Sequence, residues 1–304
     1  MNAPDRVRAD AATQDTPQQR ARFCTSENPF TFGYPAVPAR QFLAERDRAF
    51  DAGTPTSTIA LDASADLATA YPATTPTLLC RYFRIRAGEE LHTAFAASGE
   101  VFYVMRGAGE SRNRNEAIIW GTGDVLCFSS GDTTHRATAD ALLFGVSDEP
   151  LLAFEGLRPP PIDKPAVKAT HWRAAEIEHI FQGVYTRKRT ERTTGCSVMF
   201  SCHDFAPGYH TTPLINTAIN TLEAGGDQRP HRHNGVAVTL AIEGEGIHSM
   251  IEDKRIDWST GAAQITPASL LHSHHNRGSK RMRSFVIQDE GLHYYTRTPG
   301  FSFG

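Results

Sequence analysis

The string PHRHNG, residues 230–235, is where this sequence could do chemistry. His231 and His233 are one residue apart. An extended chain sends alternate side chains to opposite faces, so both imidazoles aim at one spot while Arg232 points away. The pattern continues downstream. Val236, Val238, Leu240 and Ile242 fall on the Arg232 face, whereas Gly235, Ala237, Thr239 and Ala241 fall on the histidine face, where small side chains leave room for a lined cavity. Thr266-Pro267-Ala268-Ser269 reads as a turn, and Leu270-Leu271-His272 opens the next strand, which a small barrel would bring back beside the first pair. Three neutral imidazoles around one point suit Fe(II), Zn(II), Ni(II) or Cu(II) rather than Mg or Ca. His274 and His275 are expected on a loop beside these ligands or just behind them.

Such a site needs a β scaffold, and short β-rich runs at near-regular spacing start well before it. Leu78–Cys80, Tyr82–Ile85, Glu100–Met105, Ala117–Trp120 and Val125–Phe128 are broken by Gly, Asn and Ser clusters, the pattern of a sandwich or barrel. Gly225, Gly244 and Gly261 repeat the spacing of Gly88, Gly107 and Gly123 at an offset near 137 residues, which marks an internal duplication. The proline-rich run RPPPIDKP reads as a stiff connector between the copies. A short helix over Trp172–Phe181 follows it, and TRKRTER reads as a solvated charged face. Ahead of the first copy, residues 1–28 are too poor in large apolar groups to order themselves. NPFTFGYP, residues 28–35, supplies aromatic anchors for a strap, and Ala39–Phe50 has helical spacing of Phe42, Leu43 and Phe50. The run from Ile215 to Leu222 is a strand with Asn216, Ala218 and Asn220 on one side, either lining the cavity or tied to backbone in the wall.

Composition bounds the rest. A chain of 304 residues is long enough for two domains, each burying its own core. A formal charge of −3 with no long basic run gives no footprint for nucleic acid. Cys24, Cys80, Cys127, Cys196 and Cys202 form no C-x-x-C pair, the N-terminus has no apolar signal region, and no apolar run approaches a membrane span. A cytoplasmic location with reduced thiols is expected, without membrane contact.

Residues 225–276 resemble the cupin signature, G-x5-H-x-H-x3-E-x6-G followed by G-x5-P-x-G-x2-H-x3-N. Gly225, His231, His233, Gly244, Gly261, Pro267, His272 and Asn276 are in register, with Ala237 in the glutamate's place and Ser269 in that of a glycine. The resemblance implies an all-β chain of two tandem cupin (double-stranded β-helix, jelly-roll) barrels with a short helical N-terminal arm. The expected division is an arm over 1–65, partly disordered, a degenerate cupin over 66–158, a linker with a short helix over 159–194 and a metal-binding cupin over 195–304. In the first copy Ala94 and Ala96 are expected at the two histidine positions, Glu100 at the glutamate's, and His135 one place beyond the third ligand's, so only the second copy should hold metal.

Among bicupins the chain is similar to the gentisate, salicylate and 1-hydroxy-2-naphthoate 1,2-dioxygenases, through the three-histidine set without a glutamate, the string H-R-H and the E-G-E-G of residues 243–246. That likeness implies an extradiol-type Fe(II) oxygenase of aromatic catabolism, a homo-oligomer, opening the ring of a salicylate- or gentisate-like acid with dioxygen. His231, His233 and His272 would hold the iron, and His274 would hydrogen-bond substrate or oxygen as an acid-base partner. Those enzymes place an arginine where Thr239 stands. Thr239 itself, Asn216, Asn220, Arg229 and Arg283 are the expected substrate contacts, with Arg277 a further nearby cation. Two other classes would use the same cavity: a lyase, isomerase or hydrolase with Zn, Ni or Mn as Lewis acid, and a binding protein without turnover.

Overall fold

The structure is a computed structural model that describes residues 16–23, 33–114, 116–188 and 195–304. The expected disordered start in large part, most of the aromatic strap and the end of the charged run lie outside the described residues. Within residues 1–34, α1 (Pro17–Arg20) is a single turn closed by a capping box between Thr16 and Gln19.

Residues 35–304 form one compact unit. Its first helix, α2 (Leu43–Phe50), starts later than the spacing predicts. The Phe42 amide donates to the Ala263 carbonyl (3.0 Å) and the Arg40 carbonyl accepts from Ile265 (2.9 Å), so the chain is still extended there. Phe42 is fully buried, while Leu43 and Phe50 are partly exposed.

The first β layer follows as β1 (Ser57–Ala60), α3 (Ser64–Leu67), β2 (Leu79–Ile85), β3 (Glu90–Ala94), β4 (Gly99–Asn113), β5 (Glu116–Gly121), β6 (Val125–Ser129) and β7 (Asp132–Ser147). The two strand runs read separately from Leu78 to Ile85 are one strand. After α4 (Glu149–Glu155), β8 (Thr170–Trp172) joins β6, and α5 (Ala174–Tyr185) buries Ile177 and Phe181 but leaves Ile180 exposed. The strands form an eight-stranded sheet ordered β1-β2-β7-β4-β6-β8, with β3 on β7 and β5 on β4. β4 and β7 are long because they bend through both faces of the barrel, with register shifts between Val104 and Gly109. Gly107 makes the bend possible, since its φ is +92° and a Cβ there would lie 2.6 Å from the Asp140 carbonyl oxygen.

The second half contains β9 (Cys196–Phe200), β10 (Asn216–Leu222), β11 (His231–Arg232), β12 (Ala237–Glu243), β13 (Ile247–Ile251), β14 (Lys254–Asp257), β15 (Ala263–Thr266), β16 (His272–Asn276), β17 (Met282–Gln288), α6 (Gly291–Tyr295) and β18 (Ser302–Phe303). They make two five-stranded sheets, β15-β12-β17-β10-β9 and β14-β13-β16-β11-β18. Gly244 and Gly246, at φ +136° and +68°, separate β12 from β13 where β4 merely bends.

The two halves share a core, and the first also buries a second one of its own. Period-two alternation sends Val101 and Tyr103 of β4, Val238 and Leu240 of β12, and Phe285 and Ile287 of β17 to that common core, where Tyr103 and Phe285 stack at 5.3 Å. Each such side chain contributes about 1.5–3 kcal/mol by burial. The opposite faces of the same strands point into the barrels, and there the halves differ. The first is plugged by Phe83, Phe102, Phe128, Leu143 and Trp120. The second presents Ala237 and Thr239 of β12, with Ala218 and Asn220 of β10, to a cavity.

The duplication is visible residue by residue. In both halves a tryptophan Nε1–H donates to a serine Oγ that also bonds a histidine Nδ1: Trp120, Ser111 and His135 in the first, Trp258, Ser249 and His274 in the second. Ladder register then corrects the expected correspondences. Thr93 faces Thr133 as His231 faces His272, so Thr93 and Phe95 stand at the histidine positions, not Ala94 and Ala96. His135 is the counterpart of His274, two places beyond Thr133. Glu100 faces Phe128 as Ala237 faces Thr266, so it does occupy the glutamate position.

Glu100 is almost wholly buried, and that burial pushes its carboxyl up to about 8, with Glu149 adding to the rise and Arg81 opposing it. The fold therefore binds this proton more tightly than the unfolded chain. The resulting stability is full below the ordinary value of 4.5 and is lost as pH rises through about 8. Glu100→Gln should hold its melting temperature between about pH 5 and 8, where the parent declines, with unchanged metal content. Parallel declines in a thermal-melt series would contradict this.

Candidate metal centre

His231, His233 and His272 offer ligand atoms that all lie within 4.8 Å of one another. His231 and His272 are direct partners across the β11–β16 ladder, and His233 follows at the end of β11 on the same face. Backbone carbonyls fix all three rings. His231 Nδ1 donates to Arg229 O (3.0 Å), His233 Nδ1 to Gly235 O (2.7 Å) and His272 Nδ1 to Leu270 O (2.9 Å). A carbonyl can only accept, so each Nδ1 carries the proton and each Nε2 keeps its lone pair.

The rings also stay neutral. Burial lowers the pKa of all three, and in His272 burial with repulsion from His231, His233 and His274 brings it down to about 2. Three convergent, deprotonated imidazole nitrogens with carbonyl-oriented rings fit a divalent transition-metal ion.

The cavity around them is about 210 Å³ and is also lined by Ala218, Asn220, Ala237, Thr239 and His274. It is smaller than the roughly 300–1,000 Å³ of sites for drug-sized ligands, the scale of a single-ring molecule. Ala237, where the signature has glutamate, does face this space.

His274 is fully enclosed, and burial first, then the neighbouring imidazoles, brings its pKa down to about 3. Ser249 Oγ accepts from Trp258 Nε1 (2.7 Å) and Gln264 Nε2 (2.6 Å), so its own hydrogen goes to His274 Nδ1 at 2.9 Å. A neutral ring that accepts at Nδ1 carries its proton on Nε2. His274 thus offers the cavity an N–H donor.

Of the other expected contacts, Asn220 and Thr239 line the cavity. Asn216 is buried deeper on the same face, beside the Tyr294 hydroxyl. The arginines do not reach it. Arg283 shares the Phe285 face of β17, so alternation turns it away; it pairs with Glu178, hydrogen-bonds Tyr185 (3.2 Å) and lies over Phe181. Arg229 lends the site its carbonyl while its guanidinium lies 4.0 Å from the Phe303 ring centroid. Arg277 is exposed and bonds Asp227 (2.6 Å), and His275 is turned to the same carboxylate.

Gln288, Glu290, Tyr294 and Phe301 also line the cavity, outside the set of residues expected from the sequence. Gln288 had a signal, since alternation along SFVIQ puts Ser284, Val286 and Gln288 on one face. Phe301 had none: it arrives over His231 (5.3 Å between ring centroids) because β18 pairs with β11.

Residues 218–288 match the family model described as Cupin domain. A 5-aminosalicylate 1,2-dioxygenase from Comamonas is 33% identical over 86 residues, 28% of this chain and 23% of that protein. A gentisate 1,2-dioxygenase from Streptomyces is 27% identical over 153 residues, 49% of this chain and 42% of that protein. These matches span less than half of either relative. In fold, the salicylate 1,2-dioxygenase from Pseudaminobacter salicylatoxidans superposes with a TM-score of 0.72 at 12% identity, covering 94% of both chains. A variant of that enzyme in complex with gentisate gives 0.70 at 13% identity over 98% of both.

Proposed function

We propose that this chain, a cupin resembling the gentisate and salicylate dioxygenases, is an Fe(II)-dependent ring-cleaving dioxygenase of a salicylate- or gentisate-like aromatic hydroxy acid. The observation that carries the reading is the set of three neutral imidazoles, each oriented by a carbonyl, facing a cavity from which the ligand carboxylate is missing. His231, His233 and His272 would hold Fe(II), which would supply the electrons that activate dioxygen. Around it the chain's own groups position the substrate. Ala237 leaves the space a chelating acid needs, Asn220 and Thr239 offer hydrogen bonds to its polar edge, and Phe301 and Met199 close the cavity wall with apolar surface. His274 donates its Nε2–H to oxygen as negative charge develops there. Buried thiols at Cys80, Cys127 and Cys202 support a reducing, cytoplasmic setting, and no described helix is long and apolar enough to cross a membrane.

Oxygen-electrode traces on anaerobically iron-loaded protein, run against salicylates, gentisate and hydroxynaphthoates, test the proposal. Oxygen uptake with loss of the aromatic absorbance is expected for at least one acid. Turnover without oxygen uptake would favour a Lewis-acid enzyme, and no turnover a binding role. As a second check, Ala237→Glu should retain metal yet suppress uptake, because the new carboxylate would take a position the substrate needs; full activity in the folded variant would contradict that placement.

A further inference from the structure

We propose that Gln288 is a fourth, neutral donor to the bound ion until a chelating substrate displaces it, standing in for the absent glutamate from the neighbouring strand. This rests on the reading of His231, His233 and His272 as metal ligands.

The two barrels solve the same packing problem in opposite ways. In the first, Glu100 on β4 faces Ser147 on β7. In the second, Ala237 on β12 faces Gln288 on β17, so the long polar side chain has changed strands. Directly opposed residues on one sheet face have Cβ atoms about 4.5–5.5 Å apart, and a long side chain from either one sweeps the same space.

Gln288 lies in the cavity with the three histidines, and its Nε2 is 3.2 Å from His233 Nε2. With Nδ1 committed to the Gly235 carbonyl, that His233 nitrogen is the one whose lone pair faces the ion. The Gln288 amide therefore donates to the very lone pair an ion would take. When the ion takes that lone pair, the N–H loses its acceptor. A half-turn of the terminal amide then presents Oε1, which has nearly the same shape and position.

The choice of amide over carboxylate has a consequence for substrate. Three imidazoles and an amide leave the divalent charge uncompensated, so an anionic carboxylate can be drawn by the ion itself. That agrees with Arg229 and Arg283 both being turned outward to Phe303 and Glu178.

Co(II) titration followed by calorimetry and visible absorption tests this without turnover. Gln288→Leu, similar in size but with no donor atom, should bind Co(II) about tenfold more weakly and with a changed absorption band. Gln288→Glu should bind more tightly than the parent. An unchanged affinity and spectrum in Gln288→Leu overturns the assignment. His231→Ala separates the two layers of the argument: if it loses Co(II) while Gln288→Leu is unaltered, only the fourth donor fails, and if it binds Co(II) like the parent, the three-histidine site fails with it.

Discussion

The His231→Ala protein is expected to purify folded but without metal, and to consume no oxygen with any aromatic acid. His231 is one of the three converging rings, with its centroid 4.3 Å from that of His272 and 5.9 Å from that of His233. Removing it leaves only two imidazoles, too few even with a neutral amide beside them to hold an exchangeable divalent ion against solvent. The fold should survive because the ring borders the cavity and not the shared core, and the apolar β12 and β17 faces are untouched. Glu100→Ala is the matched control, since the first barrel has Thr93, Phe95 and Thr133 where ligands would stand. Elemental analysis after anaerobic reconstitution checks both variants, and equal metal loss in the two would sink the one-site arrangement.

The His274→Ala protein should keep its metal and lose about 10²–10³-fold in turnover rate, the usual cost of removing one preorganised donor from developing negative charge. The geometry makes His274 a permanently neutral N–H donor, because burial holds its pKa near 3 and Ser249 occupies Nδ1. Its removal should therefore lower the pH–rate profile without deleting a limb from it. Ser249→Ala, which frees the ring tautomer while leaving the imidazole in place, should produce a smaller loss of the same kind. A lost limb in His274→Ala would mean that the ring titrates during turnover, and lost metal would mean that His274 is itself a ligand.

The three converging histidines were legible in the sequence because strand alternation and the spacing of turn residues are local rules. His231 and His233 share a face by period two, and Thr266–Ser269 turns the chain toward His272 whatever the rest of the molecule does. The positive φ of Gly88, Gly107, Gly123, Gly225, Gly244 and Gly261 explains why the glycine spacing exposed the duplication: six bends require it. Equivalences inside the first copy were less legible. One residue fewer between Gly88 and Thr93 and one more between Thr93 and Glu100 cancel in the glycine spacing but move the counterparts of His231 and His233 to Thr93 and Phe95. Nor does a sequence show which way a long side chain leaves a strand end. Arg229 and Arg283 are near the ligands along the chain, yet stacking on Phe303 and pairing with Glu178 hold them outside. The shared core was missed because Val238, Leu240, Phe285 and Ile287 need a surface to bury against, and sequence alone does not say that the surface is the other barrel.

The most direct measurement is an Fe(II) titration of the anaerobic wild-type protein, with oxygen uptake on a salicylate- or gentisate-like acid recorded at each addition. One three-histidine centre in the second barrel predicts uptake that rises linearly and breaks at a single equivalent of iron per chain. Uptake by iron-free protein, or a break at two equivalents, would contradict it.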